Sequence, residues 1–221
     1  MKDRKTQIID AATALILRNG FQQTSVEEVI REARLCGKGH FYHYFKSKEE
    51  LGYAVLERRF EQFAEEGLAI LREPLRDPLH RLNDFIDAVV HTHAEPFSSG
   101  CPFGNLAAEM ADAHEGFRTR LVMVFARWAE QIQSLLWEVR PRLVEGADIA
   151  RLSRFIIATL EGAILMSKVH REPALLKDVA DELKRCIGLH MRSDAKASNG
   201  VNGLVVGAAG SPTGAGIGTG E

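Results

Sequence analysis

The 221-residue chain is predicted to be all-α, with a small N-terminal helix-turn-helix domain on a larger helical domain. Three observations lead there. Hydrophobic residues recur at helical spacing almost throughout. Two capping-box signatures, Ser25 with Glu28 and Ser47 with Glu50, stand where helices would open. No alternating apolar–polar run long enough for a strand, and no internal repeat, interrupts the pattern. A hydrophobic content of 45% and a charged content of 26% suit a globular chain able to bury a real core.

Taken in order, Ile8, Ala12, Leu15 and Ile16 share one face of a first helix, which Asn19-Gly20 ends because glycine accepts the left-handed conformation. Thr24-Ser25 opens a second, short helix with Val26, Val29 and Ile30 as its buried face. Leu35 lies in the connection to a third helix, anchored by Phe41 and Phe45. Ser47 starts a long fourth helix through Leu51, Val55, Leu56 and Phe60. Further helices are expected near 78–94, 105–112, 115–138, 148–171 and 175–192, with prolines 74, 78, 96, 102, 141 and 173 at or near their ends, where proline is tolerated. From Asp194 to Glu221 the chain turns Gly- and Ala-rich with almost no charge, a composition that cannot offset chain entropy by burial. The expected division is therefore 1–47, 48–193 and a disordered tail at 194–221.

The third helix carries the chemistry. Once Phe41 and Phe45 face the core, Lys38, Gly39, His40, Tyr42 and His43 are left on the outer side, a set suited to a DNA groove. Lys38 and Lys48 can meet phosphates, Tyr42 can donate its hydroxyl, and the helix start at Thr24 and Ser25 offers N–H groups to another phosphate. Charge agrees weakly: residues 1–60 hold 11 Lys and Arg against 8 Asp and Glu, while the remainder holds 17 against 22.

FYHYFKSKEEL, following an N-terminal helix and TSVEEV, resembles the DNA-binding domain of the TetR family of bacterial transcriptional repressors over residues 5–60. The resemblance implies an all-helical fold, a homodimer formed through the last two helices, a small-molecule effector, and a double-stranded DNA operator of pseudo-palindromic sequence. It also places Lys38, Gly39, His40, Tyr42, His43 and Lys48 at contact positions. Two departures stand out. Many relatives have Ala-Gly in the turn where this chain has Ala33-Arg34, and the turn reads one residue longer, so Gly37 is expected to take over the special backbone conformation.

For the effector site, Phe85, Val89 and His93 form one helical stripe, Phe97 and Phe103 flank a turn, and Phe125 and Trp128 lie three apart on a later helix. The same residues would serve equally as plain core. GCPFGNLAAEM, residues 100–110, resembles a Gly-Cys-x-x-Gly-Asn-Leu-Ala element of one TetR branch, some of whose members respond to reactive electrophiles. The element puts Cys101 at a helix start, which favours thiolate, and Lys168 would lower its pKa further if near. Covalent sensing at Cys101 and noncovalent binding both remain open. The last two helices offer apolar faces for dimerisation: Leu152, Phe155, Ile156, Leu160, Ala163 and Ile164 on one, Leu176, Val179, Leu183 and Ile187 on the other.

Other classes fit poorly. His91 and His93, two apart on a helix, point to different faces, and no phosphate loop, nucleophile elbow or metalloprotease motif is present. Neither catalysis, a cofactor nor a metal is expected. A helical protein-interaction adaptor is the alternative, but it would leave the Lys-His-Tyr helix without purpose. No apolar run approaches the roughly 20 residues of a membrane span, the N-terminus lacks a signal-peptide pattern, and the three cysteines are widely spaced. A cytoplasmic location is expected.

Overall fold

The computed structural model describes residues 3–94 and 99–192. Among them the regular elements are helices: α1 (Arg4–Asn19), α2 (Val26–Glu32), α3 (Lys38–Tyr44), α4 (Lys48–Glu66), α5 (Leu68–Leu71), α6 (Pro78–Thr92), α7 (Pro102–Met110), α8 (Glu115–Glu138), a 3-10 turn at Arg140–Arg142, α9 (Ile149–His170) and α10 (Pro173–Leu189). The tail from 194 onward lies outside the described residues. No helix among the described residues is long and apolar enough to cross a membrane.

The first capping box forms in full and the second in half. Glu28 N–H donates to Ser25 Oγ at 3.2 Å and Ser25 N–H donates back to Glu28 Oε2 at 2.8 Å, satisfying two N-terminal donors of α2. Ser47 Oγ accepts from Glu50 N–H at 3.2 Å, while the Glu50 carboxylate reaches Lys46 N–H instead of Ser47. Helix α7 begins at Pro102 and α10 at Pro173, two or three residues earlier than the periodicity places them. Proline suits the first helical position because its missing N–H would have no intrahelical partner there. The four-residue α5 was not anticipated: it is too short to show a period, yet it buries Leu68 and Leu71.

The α2–α3 turn departs from expectation in an instructive way. Arg34 itself adopts the left-handed conformation, φ 51°, and Leu35 N–H closes on Ile30 carbonyl at 2.9 Å, the six-to-one bond of a Schellman motif. Gly37 does not replace it but adds a second positive φ, 150°, at the N-cap of α3. The strain at Arg34 is offset by Leu35 and Ile30, which both pack on the N-terminal core.

Among the described residues two hydrophobic cores result. Ile8, Ala12, Leu15, Val29, Phe41, Phe45, Leu51 and Val55 close the first. The second is larger and runs from Leu56 and Phe60 through α6, α8, α9 and α10. The expected division after residue 47 falls at the start of α4, a helix that supplies Leu51 and Val55 to one core and Leu56 and Phe60 to the other. Arg81, 4% exposed, stitches the second core: its guanidinium donates to Leu71 carbonyl at 2.9 Å and pairs with Glu138.

The face expected to dimerise is mostly spent inside the subunit. Leu152, Ile156, Leu160, Ala163 and Ile164 on α9 and Leu176, Leu183 and Ile187 on α10 are buried, because each helix turns its most continuous apolar stripe to its own core. What α9 leaves outward is a second stripe: Phe155, Leu165, Met166 and Val169 are exposed, with the small Ala158 and Gly162 between them.

Candidate DNA interface and effector cavity

Phe41 of α3 and Phe45, which follows the helix directly, are completely buried, and this fixes what faces out. Lys38, Gly39, Tyr42 and His43 are exposed, whereas His40 is half-buried, its ring 5.9 Å from that of Tyr44. Tyr42 lies edge-on to Phe41 at 5.2 Å, so the same ring that anchors the helix also steadies an exposed phenol. Lys38 pairs with Glu27 of α2 at 2.6 Å, both side chains well exposed. That contact holds the Glu27 carboxyl below its usual range and raises the Lys38 ammonium.

The remaining expected contacts are engaged within the protein. Thr24 is buried and its hydroxyl donates to Gly20 carbonyl at 2.7 Å, while Ser25 is committed to Glu28. Lys48 donates to Gln22 carbonyl at 3.0 Å and lies 4.7 Å over the Phe21 ring, and partial burial lowers its pKa.

A second site lies in the larger domain. A cavity of about 370 Å³, within the range of small-molecule sites, is bounded by α4, α6, α7, α8 and α9. Phe85, Val89, His93, Cys101, Phe103 and Trp128 line it, so the stripe and the turn read from the sequence do converge. Phe125 stands behind the wall, stacked on Trp128 at 6.2 Å. Lys168 is outside it, with Nζ donating to Asn105 Oδ1 at 3.1 Å. Phe97 falls outside the described residues. Phe63, Arg59 and Glu161 line the cavity without having been picked out. Phe63 continues the α4 stripe one turn beyond Phe60, and Glu161 directly follows Leu160 of the apolar α9 face.

The chemistry at Cys101 is the reverse of the expectation. Backbone N–H groups of Phe103 and Gly104 do favour thiolate, as a helix start should. Burial and the neighbouring Glu161 carboxyl outweigh them and push the thiol well above its ordinary range. Burial also raises Glu161. His93 is held below its usual value, mainly by burial, with Nδ1 2.9 Å from Val89 carbonyl.

The two sites are joined by α7. Its first residues, Pro102 and Phe103, form part of the cavity wall. Near its other end, Glu109 accepts from Gln22 N–H at 3.0 Å through Oε2 and from Gln22 Nε2 at 3.0 Å through its carbonyl. Beside this link, Phe21 meets Phe117 edge-on at 4.9 Å and Tyr53 Oη lies 3.2 Å from His114 Nδ1. Gly52 makes the approach possible: a Cβ there would lie 2.5 Å from Phe21 and 2.6 Å from Phe117.

A tri-helical reading head with an outward polar helix, carried on a larger helical domain, defines a helix-turn-helix transcriptional regulator. Residues 8–55 match the family of bacterial regulatory proteins called tetR, and residues 78–183 match the tetracyclin repressor-like C-terminal domain. The chain belongs to the TetR family. It is 30% identical over 185 residues to an HTH-type transcriptional regulator in the lacX 3′ region of Lactococcus lactis subsp. lactis, covering 83% of this chain and 93% of that one. It is 28% identical to the HTH-type transcriptional repressor DhaR of Mycobacterium sp. strain GP1, covering 76% and 83%. Among solved structures, regulatory protein TetR from Rhodobacter sphaeroides superposes with a TM-score of 0.74 at 29% identity, covering 81% of this chain and 96% of that one. The protein is a DNA-binding regulator of transcription and not an enzyme.

Proposed function

We propose that this regulator is a repressor that binds a pseudo-palindromic operator as a homodimer and leaves it when a small molecule occupies the α4–α9 cavity. Lys38, Gly39, His40, Tyr42 and His43 face the groove, with Lys48 and the Thr24–Ser25 helix start at its flank. The outward stripe of α9, from Phe155 to Val169, and the adjoining α10 meet their symmetry mates. The observation that carries the reading is α7, which starts in the cavity wall and ends hydrogen-bonded to the loop before α2. A ligand that prefers one position of α7 thereby shifts the reading head.

Release by a noncovalent ligand is the better-supported mode, because the Cys101 thiol is buried and held protonated beside Glu161. The test is binding of purified protein to duplexes tiling the DNA beside its own gene, near physiological salt. Tight binding to one near-palindromic tile supports the repressor. Weak binding that ignores sequence would favour a protein-interaction adaptor instead.

A further inference from the structure

The cavity wall carries a polar signature that the apolar stripe does not explain. Arg59 Nε, Trp128 Nε1 and Glu161 Oε1 are buried and have no hydrogen-bonding partner within the protein. All three residues line this one cavity. Arg59 has a 3.3 Å hydrogen bond from Nη1 to Gln62, which leaves its Nε edge unused. Trp128 is 2% exposed, so its indole N–H has no access to bulk water. A buried polar atom left unpaired is costly, and a site that holds two donors and an acceptor around an apolar space selects ligands that match them.

The rest of the wall is aromatic. Phe63 makes edge-to-face contacts with Phe103 at 5.7 Å, Trp128 at 5.3 Å and Phe85 at 6.3 Å, an arrangement that receives a flat ring well. We propose that the effector is a small hydroxyaryl carbonyl compound whose carbonyl or carboxylate oxygen accepts from Arg59 Nε and Trp128 Nε1 and whose hydroxyl donates to Glu161 Oε1. A neutral hydroxyl suits the site better than an ammonium. Burial already holds Glu161 toward its protonated form, and Arg59 brings a positive charge to the same wall. The inference rests on reading this cavity as the effector site.

Three matched probes test it by calorimetry on the full chain: 4-hydroxyacetophenone, 4-methoxyacetophenone, which lacks the donor, and 4-ethylphenol, which lacks the carbonyl. The hydroxyketone is expected to bind at least about tenfold tighter than either analogue. The preference over the methoxy probe should collapse in Glu161→Ala, and the preference over ethylphenol in Arg59→Lys, which keeps the charge but loses the Nε donor. Equal affinities for the three in the wild-type protein, or no binding of the hydroxyketone, would overturn the proposal whether or not the variants fold. Operator release separates the two readings. Release by 4-ethylphenol as readily as by the hydroxyketone keeps the effector site and removes the ligand class. Tight, selective binding with no release keeps the ligand class and removes the site's regulatory role.

Discussion

The reading head and the cavity of the larger domain handle polar groups in opposite ways. On the head, the polar side chains are exposed or paired with neighbours: Lys38 with Glu27, Lys48 with Gln22, Ser25 with Glu28. Among the residues lining the cavity, Arg59, Trp128 and Glu161 each bury a polar atom that has no partner in the protein. A surface that meets a polyanion can exchange its weak, solvated pairs for phosphates at small cost. A cavity must keep its groups unspent, because only an unmatched group rewards the right ligand over a wrong one.

The largest effect that would break this contrast comes from the core beneath the head. Phe41→Ala should cost about 3–5 kcal/mol and abolish operator binding. Because the two cores are separate, ligand binding in the cavity should survive, and calorimetry beside chemical denaturation reads both. Loss of ligand binding as well would show that the cores fold as one. Next is the link between the sites. Glu109→Ala removes the acceptor for Gln22 N–H, and operator affinity should change little while ligand-induced release weakens about fivefold or more. Unaltered release would mean that α7 does not carry the signal through this bond.

A smaller change is expected from Lys38→Ala. It should lower the slope of log affinity against log salt by about one and weaken binding to all duplexes alike. A sequence-selective loss would instead assign Lys38 to a base. The smallest is Cys101→Ser, which should leave release by a noncovalent ligand within about twofold. Acidity supplies a further check on the cavity. Because burial raises the folded-state pKa of Glu161 above 4.5, its stabilising contribution is complete below that pH and is lost as pH rises through the raised value. Glu161→Gln should therefore flatten that part of the profile of melting temperature against pH.

Legibility in the sequence followed the same contrast. The head could be read because its devices are local: capping boxes three residues apart, two phenylalanines four apart, and the polar residues left over between them. Arg34 was misjudged because a Schellman closure depends on Leu35 and Ile30 packing on a core that spacing alone does not reveal. The cavity was half legible. Phe85, Val89, Phe103 and Trp128 could be named but not told from core, since a cavity and a core use the same residues. Arg59 and Glu161 were missed because nothing in a single sequence says that a charged residue on a long helix turns inward. The thiol at Cys101 was misread because its helix-end effect is local and visible, whereas the Glu161 carboxyl that opposes it arrives from sixty residues away.

Helix α7 has a mechanical consequence. Nine residues give it a length of about 13 Å. A stiff rod of that length, tipped by roughly 10° at the cavity end, displaces its far end by roughly 2 Å, the scale of helix shifts in known switches. The far end grips Gln22, three residues ahead of the Ser25 cap of α2, so a tilt of the rod would reach the reading head at the start of its helix-turn-helix. On the proposed reading, a rigid ligand would release the operator more effectively than a flexible one of equal size, since a compliant molecule would absorb the tilt before the rod could transmit it.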